Sequence, residues 1–75
     1  MKKLKYIRKQ NGFIVFTDTF NHNEVTTKND IISAGFCYID TEQEKCTCFG
    51  ESVSLGIESL DEDSDKMTNQ FFNYY

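Results

Sequence analysis

The sequence predicts a small α+β domain, in which helices pack on an antiparallel β-sheet in the order ββαββ(β)α. Two segments rich in β-branched and aromatic residues, 3–17 and 31–49, each contain a turn signal and therefore predict β-hairpins. Two other segments, which begin near Phe20 and Ser59, carry helix-capping patterns. We expect residues 1–75 to form one domain, because the chain contains no linker, repeat or low-complexity segment.

The first predicted hairpin is residues 3–17, KLKYIRKQ-NG-FIVFT. Asn11-Gly12 is a preferred pair for a type I′ turn, because both central residues of that turn need positive φ. A turn at this pair sets Ile7 opposite Phe16. The residues assigned to the core face are Ile7, Ile14 and Phe16, and those on the other face are Tyr6, Arg8, Phe13 and Val15.

The central hairpin joins residues 31–39 to residues 45–49, with Glu42-Gln43 at its tip. Side chains alternate between the two faces of a strand, so this register gives each face its own cluster and a slip of one residue would break both. Gly35 leaves a gap that predicts a bulge or a close approach by another element. The opposite pairs are Phe36 with Phe49, Cys37 with Cys48, Tyr38 with Thr47, and Ile39 with Cys46.

Two helices and an edge strand complete the predicted fold. Phe20 to Lys28 predicts a helix of at most two turns, capped by Asn21 with Glu24 at the third helical position. Ser59-x-x-Glu62 predicts a second capping box. The inward stripe of that helix is predicted to contain Leu60, Ser64, Met67, Phe71 and Tyr74. The segment 51–57 alternates weakly and predicts an edge strand, with Val53, Leu55 and Ile57 on one side.

Charge and composition indicate a cytoplasmic protein. The formal net charge is −4, with five bases and no acid in Met1 to Gln10 and six acids against Lys66 from Glu51 to Tyr75. This asymmetry predicts attraction between the two ends of the chain. No apolar run has the length of a membrane span, and the basic N-terminus has no apolar segment of signal-peptide length behind it. An odd cysteine count of three then favours free thiols in a reducing compartment.

The sequence contains no pattern that predicts an enzyme or a cofactor. Cys46-x-Cys48, with Cys37 and His22, supplies the residue types that bind zinc. Structural zinc sites favour C-x₂₋₄-C spacing, however, so we expect buried free thiols and no metal. Cys37 and Cys48 are placed for a cross-strand disulfide, which a reducing cytosol disfavours. The acids that begin at Asp61 imitate an EF-hand loop without its glycine or its final glutamate, which excludes calcium binding.

Two interaction surfaces are predicted. The favoured hypothesis is a non-enzymatic protein that binds another protein, which the small size, the absence of a catalytic pattern and the charge asymmetry favour. Aromatic residues crowd the C-terminus, and because contiguous exposed aromatic patches mark interfaces, they predict a homodimer or a partner-docking tail. Its candidate residues are Phe72, Tyr75, Asp61, Glu62 and Asp65. The alternative is a small nucleic-acid or nucleotide binder, in which aromatic residues among the bases of the first hairpin stack on bases. The residues of this alternative surface are Lys3, Lys5, Tyr6, Arg8 and Phe13.

One further pattern runs through the second half of the chain: Ser33-Ala34-Gly35-Phe36, then Cys48-Phe49-Gly50-Glu51-Ser52-x-Ser54-Leu55-Gly56-x-x-Ser59, and then Asp63. In these residues the chain resembles short uncharacterised proteins of bacteriophages and prophages. The resemblance implies a small accessory protein of phage type in the host-cell cytoplasm. The favoured hypothesis then names a host factor or a defence component as a partner of such a protein. It implies no catalytic or binding residue.

Overall fold

The computed structural model describes residues 2–26 and 29–72 and has the predicted α+β class. A four-stranded antiparallel sheet has the strand order β2-β1-β3-β4, and a separate two-stranded ladder pairs β5 with β6. The strands are β1 (Leu4–Lys9), β2 (Gly12–Thr17), β3 (Ile31–Asp40), β4 (Lys45–Phe49), β5 (Glu51–Ser52) and β6 (Ile57–Glu58), and the helices are α1 (His22–Val25) and α2 (Asp63–Phe72).

Both faces of the four-stranded sheet are covered, each by a different layer. We call the face that contacts α2 the α2 face, and its buried cluster consists of Tyr6, Cys37, Cys46 and Met67. The other side is the opposite face, where a second cluster contains Ile7, Ala34 and Leu55. Only the Ile7 side of the first hairpin was predicted to face the core. That assignment was incomplete, because Tyr6 on the other side is fully buried.

The register of the first hairpin differs from the prediction by two residues. Ile7 lies opposite Ile14 instead of Phe16, and Lys9 lies opposite Gly12. Gln10 and Asn11 therefore occupy the turn, and of the pair that predicted the type I′ turn only Gly12 has positive φ, at 136°. A shift of two residues leaves every side chain on its predicted face, because side chains alternate with a period of two.

The register of the central hairpin is confirmed at all four predicted pairs, from Phe36–Phe49 to Ile39–Cys46. The close approach predicted at Gly35 is also present. A Cβ atom there would lie 2.5 Å from the carbonyl oxygen of Phe49, so no larger residue fits without movement of the backbone. The irregularity in strand pairing lies elsewhere, between Arg8 and Lys9, where β3 shifts its register.

Helix α2 is bonded to the outer edges of both edge strands. The backbone N–H groups of Cys46 and Cys48 in β4 donate to Thr68 Oγ1 and Ser64 Oγ, each at 2.8 Å. On β2, the backbone N–H of Phe13 donates to Gln70 Oε1 at 2.8 Å. Open strand edges promote unwanted pairing with other chains, so these side chains close positions that a neighbouring strand would otherwise occupy.

The start and the inward stripe of α2 are corrected by the structure. Asp63 makes the capping contact predicted for Glu62, because its carboxylate accepts the backbone N–H of Leu60 at 2.9 Å. Met67 is buried as predicted, but Phe72 packs against the α2-face cluster while Phe71 is exposed. Tyr74, the last residue of the predicted stripe, lies outside the described residues.

Helix α1 and the β5–β6 ladder stand on the opposite face. The helix is a single turn of four residues, in which Glu24 accepts the backbone N–H of Asn21 at 3.0 Å as the capping pattern predicts. The predicted edge strand at 51–57 is wrong, since its ends pair with each other as β5 and β6 and residues 53–56 form the turn between them. In the described part of the chain, neither helix has the length and apolarity needed to cross a membrane.

Candidate interaction surface

Three aromatic side chains form a row on the opposite face, beside the layer made by α1 and β5–β6. Phe36 and Phe49 are paired across β3 and β4, and their ring centroids lie 6.0 Å apart. Tyr38 stacks on Phe49 at 5.3 Å. All three side chains are half-buried, and none belongs to either buried cluster. This set, which we call the aromatic row, is therefore apolar surface that the described fold leaves partly uncovered.

His22 anchors the covering layer at the end of the aromatic row. Its Nε2 lies 2.8 Å from the carbonyl oxygen of Gly35, and because a carbonyl only accepts hydrogen bonds, Nε2 carries the proton. The imidazole meets the rings of Phe16 and Phe36 edge-on, at 5.5 Å and 6.0 Å. Burial lowers the pKa of His22, so the ring is neutral at pH 7. The burial of this histidine was not predicted from the sequence.

A cleft lies between α1 and the β5–β6 turn, next to the aromatic row. Its volume is about 360 Å³, and Phe36 and His22 are among its lining residues. Val53, on its rim, is 86% exposed, which is the largest exposed fraction of any bulky apolar residue in the described part of the chain. The uncovered surface is therefore uneven, with a raised side and an open side.

Charged residues of both signs surround the aromatic row. The Lys3 Nζ lies 4.7 Å from the centroid of the Phe36 ring, a cation–π distance. Lys45 is exposed on β4 beyond Tyr38 and Thr47, and it lies directly opposite Asp40 of β3. Beside the covering layer, Glu51 and Glu58 lie directly opposite each other on the β5–β6 ladder, and both are exposed. Like charges in that position are unfavourable, so this end of the surface favours a cationic neighbour.

The α2 face carries a buried polar network with a structural role. Tyr6 Oη donates to Asp63 Oδ2 at 2.5 Å, and Arg8 Nη1 donates to Asp63 Oδ1 at 3.0 Å. Burial alone would raise the pKa of Asp63, but the hydrogen bonds from Leu60, Tyr6 and Arg8 outweigh it and lower that pKa. Arg8 also binds Glu62 at 2.8 Å. The network joins the first strand to the start of α2, as the charge asymmetry of the sequence predicts.

The residues of the alternative nucleic-acid surface do not form one exposed patch. Tyr6 is fully buried and Phe13 packs against it, with ring centroids 5.7 Å apart, so neither ring is free to stack on a base. Arg8 is held by Asp63 and Glu62. Lys5 lies on the opposite face, where its Nζ donates to the carbonyl oxygen of Phe20 at 2.8 Å. Lys3 is the one of the five whose ammonium lies over a ring of the aromatic row, that of Phe36.

The C-terminal candidate surface is also changed by the structure. Phe72, predicted to point away from the core, is the half-buried residue of the pair Phe71–Phe72. Asp61 and Asp65 are exposed at the start of α2, whereas Glu62 is paired with Arg8. Tyr75 lies outside the described residues. The aromatic row was not predicted as a surface, although the predicted register places its three residues on one face.

The three cysteines are free thiols on the α2 face. Cys37 and Cys46 are buried, and Cys48 Sγ lies 3.7 Å from Met67 Sδ. Burial raises the pKa of Cys37 and of Cys48 to about 12 and also raises that of Cys46, which makes all three poor nucleophiles at pH 7. Within residues 2–26 and 29–72, no group of three or more His, Cys, Asp or Glu side chains is arranged to hold a metal ion.

No family model, curated protein or solved structure matches this chain.

Proposed function

We propose that the protein acts by binding another protein through the aromatic row, without catalysing a reaction. The observation that carries the proposal is the half-exposed row of Phe36, Tyr38 and Phe49, which contributes to neither buried cluster. Aromatic residues are enriched at the centres of protein interfaces, and a polar rim surrounds them. Here the rim carries both signs of charge, from Lys3 and Lys45 to Glu51 and Glu58.

The mixed rim favours a protein over a nucleic acid as the partner. A phosphate backbone requires a continuous cationic track, because most of its binding energy comes from neutralised phosphates. Among the described residues, Lys3 and Lys45 lie beside the row, but Asp40 lies directly opposite Lys45, and Lys5 is already bonded to Phe20 and Asp18. The resemblance to phage and prophage proteins supports a cytoplasmic accessory protein, with a host or defence factor as the first class of partner to search.

The test compares two variants that each remove one apolar side chain from the surface. Tyr38→Ser disrupts the aromatic row, whereas Leu60→Ser alters an exposed apolar residue outside it. Proteins captured from a bacterial lysate by the unmodified chain are identified, and the affinity of each purified candidate is measured by calorimetry. We expect Tyr38→Ser to weaken binding at least about tenfold, the effect of losing an interface hot spot, and Leu60→Ser to leave it unchanged.

Equal binding by both variants would place the interface elsewhere. The same proteins are titrated with a fluorescent single-stranded oligonucleotide at low salt. Binding that declines steeply with added salt and is lost in Lys3→Glu would replace the proposal with the nucleic-acid alternative. Both variants must first show the circular dichroism spectrum and melting midpoint of a folded chain.

A further inference from the structure

The three cysteines lie on one face of two neighbouring strands, and the strand register decides which two of them are able to bond. Cys37 of β3 lies directly opposite Cys48 of β4, whereas Cys46 lies opposite Ile39. All three are free thiols, and Cys37 and Cys46 are buried with Met67 in the α2-face cluster. Cys48 packs against this cluster and is only half-buried, so it is the thiol of the three that solvent reaches.

The hydrogen bonds to α2 identify the geometry of the Cys37–Cys48 pair. The backbone N–H of Cys48 donates away from β3, to Ser64 Oγ at 2.8 Å. Cys37 and Cys48 are therefore a non-hydrogen-bonded pair of the antiparallel ladder, in which the Cα atoms of opposite residues lie about 4.5 Å apart. A disulfide joins Cα atoms that are about 4.4–6.8 Å apart, so this pair fits one without movement of the strands.

The other two pairings do not have this geometry. Cys37 and Cys46 are diagonal neighbours, which lie about 7–8 Å apart across a ladder. Cys46 and Cys48 are two positions apart on one strand, where a rise of about 3.4 Å per residue separates their side chains by about 7 Å. The Cβ atoms of a disulfide lie only about 3.5–4.5 Å apart. The fold therefore selects one bond from the three that the sequence allows.

We infer that Cys37 and Cys48 form a redox-active pair, which closes to a disulfide when a peroxide oxidises the chain and leaves Cys46 as a free thiol. The half-buried Cys48 reacts first: its sulfur attacks one oxygen of hydrogen peroxide, the O–O bond breaks, water leaves, and Cys48 becomes a sulfenic acid. The Cys37 sulfur then attacks the Cys48 sulfur, the S–O bond breaks, and the Cys37 proton leaves with the hydroxyl group as a second water. The two thiols thereby give two electrons and two protons to one peroxide molecule.

The pair lies directly behind the aromatic row, because side chains alternate between the two faces of a strand. Cys37 stands between Phe36 and Tyr38 on β3, and Cys48 precedes Phe49 on β4. The disulfide therefore holds at a fixed spacing the two strands that carry the row. The raised pKa of both thiols makes their oxidation slow at pH 7, so brief exposure leaves the pair reduced and sustained oxidation closes it. This redox chemistry goes beyond the proposed function and does not depend on it.

The test maps the disulfide after the folded chain has been oxidised with hydrogen peroxide for several hours. The remaining thiols are alkylated in urea, and the product is digested with trypsin. Trypsin cleaves after Lys45, which puts Cys37 in one peptide and Cys46 with Cys48 in the next, so a cross-link between the strands joins two peptides. We expect the joined peptides to carry the alkyl group on Cys46 at least about tenfold more often than on Cys48.

Oxidation of the unfolded chain in urea is the control for the contribution of the fold. The loops that Cys37 closes with Cys46 and with Cys48 differ by only two residues, so the unfolded chain should form both cross-links in comparable amounts. Cys46→Ala keeps the pair and should still lose the mass of two hydrogen atoms, whereas Cys37→Ala should form no intramolecular disulfide. If either variant does not fold, the map of the unmodified chain decides alone.

Equal amounts of the two cross-links in the folded chain would overturn the inference. So would a folded chain that keeps three thiols while the urea control is oxidised, or one that reaches sulfinic acid without a disulfide. The urea midpoint of the oxidised chain should exceed that of the reduced chain, because a bridge that fits the native strands restricts only the unfolded state, and a lower midpoint would contradict the geometry. None of these results affects Tyr38→Ser, which tests protein binding separately.

Discussion

Asp63 joins the first strand, β1, to the start of the C-terminal helix, α2. Its buried carboxylate accepts hydrogen bonds from Tyr6, Arg8 and the backbone of Leu60. A buried charge is tolerated only when partners replace the water that it loses, and here three donors do so. The Tyr6 side chain is also fully buried, so its hydroxyl needs the Asp63 carboxylate as a hydrogen-bond acceptor.

Removal of this carboxylate should be among the most damaging single changes in the chain. Asp63→Ala leaves the Tyr6 hydroxyl without its acceptor and Arg8 without its buried partner, so we expect a loss of about 3 kcal/mol in the free energy of unfolding. Tyr6→Phe removes one donor and leaves the others, and we expect a smaller loss of about 1–2 kcal/mol. Urea titration measures both losses.

Asp65→Ala is the matched control, since it removes an exposed acid from the same helical turn. Its effect should stay within about 0.5 kcal/mol, as is usual for surface substitutions. If Asp63→Ala and Asp65→Ala had equal effects, the network would not hold β1 to α2.

At the scale of elements, the polar side chains of α2 act as a substitute for neighbouring strands. Thr68 Oγ1 accepts the N–H of Cys46 and donates to the carbonyl oxygen of Ser64 at 2.7 Å. Gln70 completes the pattern on β2, where its Nε2 donates to the carbonyl oxygen of Phe13 at 3.3 Å. One helix thereby satisfies backbone groups on both edges of the sheet.

Thr68→Val tests this role with little change in side-chain shape. The valine leaves the N–H of Cys46 without its acceptor, so we expect a loss of about 1–2 kcal/mol in the free energy of unfolding. Thr41→Val makes the same replacement in an exposed loop and should change stability by less than about 0.5 kcal/mol. Equal stabilities of the two variants in urea would show that the strand edge does not need the hydroxyl.

Part of this architecture could be predicted from the sequence and part could not. The pairing of Phe36 with Phe49 was predictable, because a tip at Glu42-Gln43 sets this register and a slip of one residue would break the clusters on both faces. The first hairpin was harder, since a shift of two residues leaves Ile7 and Phe16 on their predicted face. When both faces of a sheet are semi-apolar, the alternation of side chains along its strands does not indicate which face a helix covers. The burial of Tyr6 and the exposure of the aromatic row were therefore not predicted.

At the scale of the whole molecule, two layers cover a sheet that is apolar on both faces, and each layer depends on a different ionisable group. Asp63 holds α2 to the α2 face, and His22 holds α1 to the opposite face through Gly35. His22 is the only histidine in the chain, so side-chain proton uptake near pH 6.5 belongs to it. The two layers should therefore respond to acid in separate ranges.

The expected order of these losses follows from the sign of each pKa shift. Burial lowers the pKa of His22 in the folded chain, so near pH 6.5 the unfolded chain binds the proton more readily. The stabilisation from neutral His22 is thus complete above pH 6.5 and is lost as the pH falls towards the folded value. The pKa of Asp63 is also lowered, so its contribution disappears only below the ordinary aspartate range near pH 4.

We expect the melting midpoint to decline in two steps as the pH falls. The variant His22→Gln, which keeps a donor for the Gly35 carbonyl, should abolish the upper step alone. Melting curves between pH 8 and pH 3 check this, and an unchanged upper step in His22→Gln would contradict it.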